Sequence, residues 1–128
     1  MPSITTGSKI KLRDKILADA LNDYIWQTDP ELAWLDATPL LMATFPQYLS
    51  DYTEELRYSS SIRHRFALET LDGKHIGNCT YYSIDETKGE AELGIMIGNR
   101  NYWDKGYGAD TVTTLVNYIF RQTNLKRI

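Results

Sequence analysis

The residues with the clearest chemical potential run Asn99-Arg100-Asn101-Tyr102-Trp103-Asp104-Lys105-Gly106-Tyr107-Gly108-Ala109-Asp110. Two glycines one residue apart, with a helical pattern behind them, describe a phosphate cradle. The first amides of a helix have no partner within it and lie at the positive end of its dipole, so a turn that aims them outward holds a pyrophosphate. Glycine suits such a turn because a Cβ would block close approach of a ligand to the backbone. Two other phosphate loops do not fit. Lys105 precedes Gly106 instead of following a glycine and leading into Ser or Thr, so the P-loop pattern is absent. The dinucleotide fingerprint needs a third glycine, where Thr111 stands, and a second strand with an acidic residue about 20 positions further on, which the sequence stops short of.

A strand and a helix must position this loop. In Glu90–Ile97, Ala91, Leu93, Ile95 and Ile97 alternate onto one face, and Glu90, Glu92, Gly94 and Met96 share the other. Behind the loop, Val112, Leu115, Val116, Ile119 and Phe120 follow the spacing of one buried helical stripe. Upstream, Lys9–Arg13 reads as a short edge or near-edge strand. Ile16, Leu17, Ala20, Leu21, Tyr24 and Ile25 then predict a helix, with Asp14 as its cap. Thr28-Asp29-Pro30-Glu31 is a restart signal, leading into a short turn through Trp34. Phe45, Tyr48, Leu49, Tyr52 and Leu56 predict a further helix, broken by Tyr58-Ser59-Ser60-Ser61. Residues 65–70 and 75–82 form a hairpin about Asp72-Gly73, a pair that takes the positive φ angles of a type I′ turn. A second turn near Lys88-Gly89 leads into Glu90–Ile97, and Leu125–Ile128 begins another strand. The fold class is α/β (α+β): a mixed, mostly antiparallel sheet flanked by helices, in the order strand, two helices, three strands, helix and the start of a strand.

Composition agrees with one domain over residues 1–128. The chain is long enough for a core, and 42% of its residues are hydrophobic. A net charge of −3 with no long basic run argues against nucleic-acid or anionic-membrane binding. Arg100 and Lys105 are the local cations available to an anion at the loop. The single cysteine, Cys79, excludes an internal disulfide, leans towards a reducing compartment and packs as a small apolar residue. No apolar run approaches the ~20 residues of a membrane span, and residues 1–6 lack the regions of a signal peptide, so a cytoplasmic protein is expected.

The loop Trp103-Asp104-Lys105-Gly106-Tyr107-Gly108 closely resembles the pyrophosphate loop of the Gcn5-related N-acetyltransferase (GNAT) family, Arg/Gln-x-x-Gly-x-Gly/Ala. Its Tyr-Trp-x-Lys-Gly-Tyr-Gly surroundings look most like the branch that includes ribosomal-protein alanine and spermidine acetyltransferases. Trp103 departs from the usual Arg or Gln, which removes one side-chain donor and leaves the loop amides untouched. The order of elements matches the family core from its first strand to the start of its fifth, and the family's C-terminal helix and strand pair have no counterpart in this sequence.

The resemblance implies transfer of an acetyl group from acetyl-CoA to a primary amine, such as a protein N-terminus, a polyamine or another small amine, by direct attack. Trp103, Asp104, Lys105, Gly106, Tyr107, Gly108 and Ala109 would hold the coenzyme's phosphates, and the backbone around Ile95, Met96 and Ile97 its pantetheine arm and the reacting carbonyl. Glu92 would be the general base, because the family commonly uses a glutamate in this region of the strand; the other reading of Glu92 is a solvated strand carboxylate. The family's general-acid tyrosine lies on a later helix, and Tyr107 is read as packing beside the glycine helix. By analogy the acceptor pocket draws on Tyr24, Trp26, Asp29, Trp34 and Asp36, aromatic and acidic groups suited to a cationic amine. His64 and His75 are too isolated for a metal site, and none is expected. The alternative to an enzyme is a truncated or degenerate GNAT fold that binds CoA, or pairs with a second copy through its unfinished sheet edge, without turnover.

Overall fold

The computed structural model describes residues 4–58 and 62–128, which group into two compact units, one drawn from Met1–Asp14 and Ser60–Ile128 and the other from Lys15–Ser59. In the first unit, β1 (Thr5–Thr6), β2 (Ile10–Asp14), β3 (Arg63–Thr70), β4 (His75–Asp85) and β5 (Glu90–Ile97) make a five-stranded sheet in sequence order, every neighbouring pair antiparallel. The helix α4 (Tyr107–Gln122) contributes Leu115 and Ile119 to one core with Ile10, Leu12, Phe66, Leu68, Ile76, Cys79 and Tyr81. Ala91 belongs to that core and Leu93, Ile95 and Ile97 pack against it, the face that alternation predicts.

Three local expectations are revised. The β3–β4 connection is a four-residue loop in which Gly73 alone takes a positive φ, 93°, with the Thr70 hydroxyl donating to the Asp72 carboxylate and a register shift at Leu68/Glu69. It is not a type I′ turn, since that turn needs positive φ at Asp72 as well. The buried face of α4 is rotated from the expected stripe. Thr111 and Thr114 are buried because their hydroxyls donate to the carbonyls of Tyr107 and Asp110, each at 2.7 Å, whereas Val112 and Phe120 are exposed. The strand expected at Leu125–Ile128 is a single parallel bridge, Glu90 to Arg127, with the Ala91 amide donating to the Arg127 carbonyl at 3.1 Å.

The second unit comprises a 3-10 turn (Leu17–Asp19), α1 (Ala20–Gln27), α2 (Pro30–Leu35) and α3 (Phe45–Arg57). Asp29 caps α2 through the amides of Glu31 and Leu32, with Pro30 as its first residue. Half of the expected α1 stripe is turned outward: Leu17, Leu21 and Ile25 are about half exposed, while Ala20 of that stripe is buried with Asp19, Asp23 and Trp26. A polar interior explains the reversal. Asp23 pairs with the Lys15 ammonium and accepts from the Tyr52 hydroxyl at 2.7 Å, so its charge is compensated where it is buried. Burial next to this carboxylate pushes the Tyr52 phenol far above its ordinary range. Asp14 ends β2 and does not cap a helix; the Asp19 carboxylate accepts the Ile16 amide instead. Helix α3 ends at Arg57, and the serines of its expected break, Ser59 to Ser61, lie outside the described residues.

At the end of the sheet where β2 finishes, His64 stacks on Phe66 with centroids 4.2 Å apart, lies 3.3 Å from the Tyr81 hydroxyl through Nδ1, and faces Asp14 and the edge of Tyr118. Burial lowers its pKa against the smaller pull of Asp14. A depressed imidazole pKa means that the unfolded chain takes up the proton first. The stabilising contribution is therefore complete above the ordinary histidine value of about 6.5 and is lost as pH falls below it. Thermal unfolding between pH 8 and pH 5.5 should show a smaller loss of Tm for His64→Gln than for the natural sequence.

Candidate functional site

The candidate site lies where β5 leaves the sheet and α4 begins. The ladder register sets Asn78, Thr80 and Tyr82 of β4 opposite Met96, Gly94 and Glu92, so these six residues share one face of the sheet. A Cβ added at Gly94 would meet Thr80 Cγ2 at 3.5 Å and Tyr82 Cε1 at 3.6 Å, so the glycine leaves a hollow one side chain deep between them. Glu92 stands next along this face, exposed, and forms no ion pair among the described residues. The alternation of the ladder turns the Met96 amide into β4 and those of Leu93, Ile95 and Ile97 to the outer edge, the edge on which Ala91 bonds to Arg127. Ile95 and Ile97 thus present their amides at that edge, and the Met96 amide is taken up within the sheet.

The chain after β5 is shaped by its own polar groups. The Asn99 side chain accepts from the Asn101 amide at 3.0 Å, starting a 3-10 turn over Arg100–Tyr102. The Trp103 indole N–H donates to the Ile97 carbonyl at 2.7 Å, which ties the loop to the end of β5, and the Arg100 guanidinium lies 5.5 Å above the Trp103 ring. Asp104 and Gly106 take positive φ angles of 58° and 86°, bending the chain twice before the helix. Gly106 is the N-cap of α4 and no side chain among the described residues caps the helix, so the amides of its first turn are left to the loop side.

The two glycines have different reasons to be there. At Gly106 the left-handed backbone disfavours any side chain. At Gly108 the fold makes no such demand: a Cβ would make one ordinary contact, with Ile97 Cδ1 at 3.9 Å, so no described side chain fills the space beside this glycine.

Sequence reasoning missed the partners this loop finds at the other end of the chain. The Asp110 carboxylate accepts three amides of the β1–β2 turn, from Ser8 at 3.1 Å, Lys9 at 2.8 Å and Ile10 at 3.1 Å. Gly7 allows this approach, since a Cβ there would lie 2.3 Å from Thr114 Oγ1 and 2.6 Å from Asp110 Oδ2. Lys9 then reaches the loop with its ammonium 5.5 Å from the centre of the Tyr107 ring, and Tyr107 meets Tyr102 edge to face at 5.2 Å. The available signal was Gly-Ser-Lys before a strand, a turn with a cation at its end.

The residues expected to form an acceptor pocket each have a local placement, Asp36 as the C-cap of α2. Trp26 is buried, Trp34 is 80% exposed, Asp29 is engaged as a cap, and the Tyr24 hydroxyl donates to the Ala43 carbonyl at 2.8 Å while its ring packs on Phe45 and Tyr48. Among the described residues no three His, Cys, Asp or Glu side chains converge on a metal-sized site, and no helix is long and apolar enough to cross a membrane.

Comparison with known proteins places this geometry in context. The family described as the acetyltransferase (GNAT) domain matches residues 9–128. An uncharacterised N-acetyltransferase, p20, of Bacillus licheniformis is 31% identical over 124 residues, which are 96% of this chain and 66% of that protein. Spermidine N-acetyltransferase from Vibrio cholerae, in complex with CoA and spermine, superposes with a TM-score of 0.77 at 19% identity, over 92% of this chain and 68% of that one. RimL, a ribosomal alpha-N-protein acetyltransferase in complex with coenzyme A, superposes with a TM-score of 0.75 at 11% identity, over 98% and 71%. The chain thus spans about two thirds of the length of the relatives it matches.

The contrast between the glycines is testable by urea unfolding. Gly106→Val should destabilise by about 1–3 kcal/mol through backbone strain. Gly108→Ala should stay within about 1 kcal/mol of the natural protein, on the stabilising side.

Proposed function

The chain belongs to the GNAT acetyltransferase family, and from that premise we propose that it binds acetyl-CoA and serves transfer of the acetyl group to a primary amine. The observation that carries the coenzyme assignment is the start of α4, uncapped by any side chain and preceded by a glycine corner, with backbone open at Gly108. A pyrophosphate needs several donors in one place and little steric bulk, which is what this backbone offers. Trp103, Asp104, Lys105, Gly106, Tyr107, Gly108 and Ala109 would form the phosphate cradle. Of their side chains, the Trp103 indole acts through Ile97 rather than on a ligand. The outward amides of Ile95 and Ile97 suit the amide groups of a pantetheine arm and the oxygen on which charge develops.

Acetyl-CoA supplies an acetyl thioester. The chain's own contribution to reaction is a base for the amine, which must lose a proton in forming the amide. Glu92 is the proposed base, acting directly or through a water. It stands two residues from the Gly94 hollow, on the strand that leads into the loop. The acceptor is proposed as a protein N-terminus, a polyamine or another small amine. The spermine held by the Vibrio cholerae relative supports the amine class and no single member of it.

Isothermal titration should give binding of acetyl-CoA that weakens at least tenfold when Gly108 is replaced by a bulky residue, and absence of binding to the intact chain would sink the coenzyme assignment. Release of free thiol in the presence of polyamines and short peptides measures turnover. Glu92→Gln should lower kcat by about 10²–10⁴ with coenzyme affinity unchanged; coenzyme binding without turnover for any amine would instead favour a non-catalytic domain.

A further inference from the structure

We propose that Lys9, carried on the turn between β1 and β2, binds the pyrophosphate of the coenzyme from outside the glycine loop; this rests on the coenzyme reading above. The loop's other cations are differently disposed. Arg100 lies over the Trp103 ring, on the β5 side of the two backbone bends, and the Lys74 ammonium lies 5.7 Å from the centre of the Tyr102 ring. Lys105 stands in the loop itself, next to Gly106 in sequence, and among the described residues Lys9 alone reaches the glycine corner from another part of the chain. A Cβ on Gly106 would meet Lys9 Cε at 3.4 Å and Cδ at 3.8 Å, so its stem runs beside the residue that caps α4. The ring of Tyr107, the first residue of the helix, lies under its ammonium.

This placement is imposed by the main chain. Three amides of the turn converge on the Asp110 carboxylate, two of them on one oxygen, so the Cα of Lys9 is held against the first turn of α4. The same bonds occupy both oxygens of Asp110, and Lys9 forms no ion pair among the described residues. The result is an exposed, unneutralised ammonium beside unpaired helix amides. Such a cation adds a charge-assisted bond to an anion that those amides already favour. In a chain of net charge −3 it offsets the general repulsion of a polyanionic ligand where the ligand binds. Its stem also gives the coenzyme site a wall drawn from the opposite end of the sequence.

Titration of CoA and of dephospho-CoA into the natural protein, Lys9→Met and Lys9→Arg, at low and high salt, tests this. Lys9→Met keeps the stem over Tyr107 and should weaken both ligands about tenfold at low salt, Lys9→Arg should recover most of the loss, and the gap should close at high salt as the charge is screened. Equal binding of Lys9→Met and the natural protein overturns the proposal and leaves the coenzyme reading intact. A gap that persists at high salt marks a structural role and also overturns it. An effect confined to CoA and absent with dephospho-CoA assigns Lys9 to the 3′-phosphate and overturns the pyrophosphate contact. If the natural protein binds neither ligand, the coenzyme reading fails and this inference with it.

Discussion

The Asp110 carboxylate is the joint on which the functional end of the sheet unit depends. It accepts three amides from a turn about 100 residues away in sequence, and bonds to an ionised acceptor are roughly twice as strong as neutral ones. Two pieces that also share the core are pinned together at this end by it: the hairpin of β1 and β2, and the helix whose first turn faces the proposed coenzyme. Gly7 is the steric counterpart of this bond, because only a missing Cβ lets the turn come so close to Thr114 and Asp110. A contact between residues so far apart closes most of the chain into one loop, at an entropic cost that grows slowly with its length.

Much of the sheet unit was legible because its signals are local. The alternation in Glu90–Ile97 set the core face, and a single register relation then placed Glu92, Gly94 and Met96 on the other. The glycine loop was legible because only glycine accepts the φ of 86° at residue 106 without strain. Lys9 was not legible, since nothing near it in sequence indicates that Asp110 will hold its backbone. The rotation of α4 was hidden for a related reason: Thr111 and Thr114 count as polar in a hydropathy pattern, yet each hydroxyl satisfies itself on the carbonyl one turn back and can be buried at little cost.

The first helix shows where periodicity misleads. The apolar set Leu17, Leu21 and Ile25 has good helical spacing and still faces outward, while Asp19 and Asp23 are inside. A period gives the angle between residues and says nothing of which side is covered. Here the inner side is chosen by a compensated network of Lys15, Asp23 and Tyr52, which can be buried only as a set. The residues grouped from their nearness in sequence each have a local role that spacing does not reveal: Asp29 holds amides, Tyr24 a carbonyl, and Trp26 lies in the interior.

The bare start of α4 has a consequence for the life of the molecule. Glycine in place of a Ser or Asp cap gives up only about a few tenths of a kcal/mol, but it leaves the amides of the first turn to be completed by whatever anion binds there. An anion that completes them binds the folded chain and not the unfolded one, so occupancy and foldedness are linked by mass action. At a hundred times its Kd such a ligand adds about 2.7 kcal/mol, a substantial part of a native margin that is typically about 5–15 kcal/mol. Were the proposed coenzyme that anion, the fraction of molecules open to proteolysis would follow its supply.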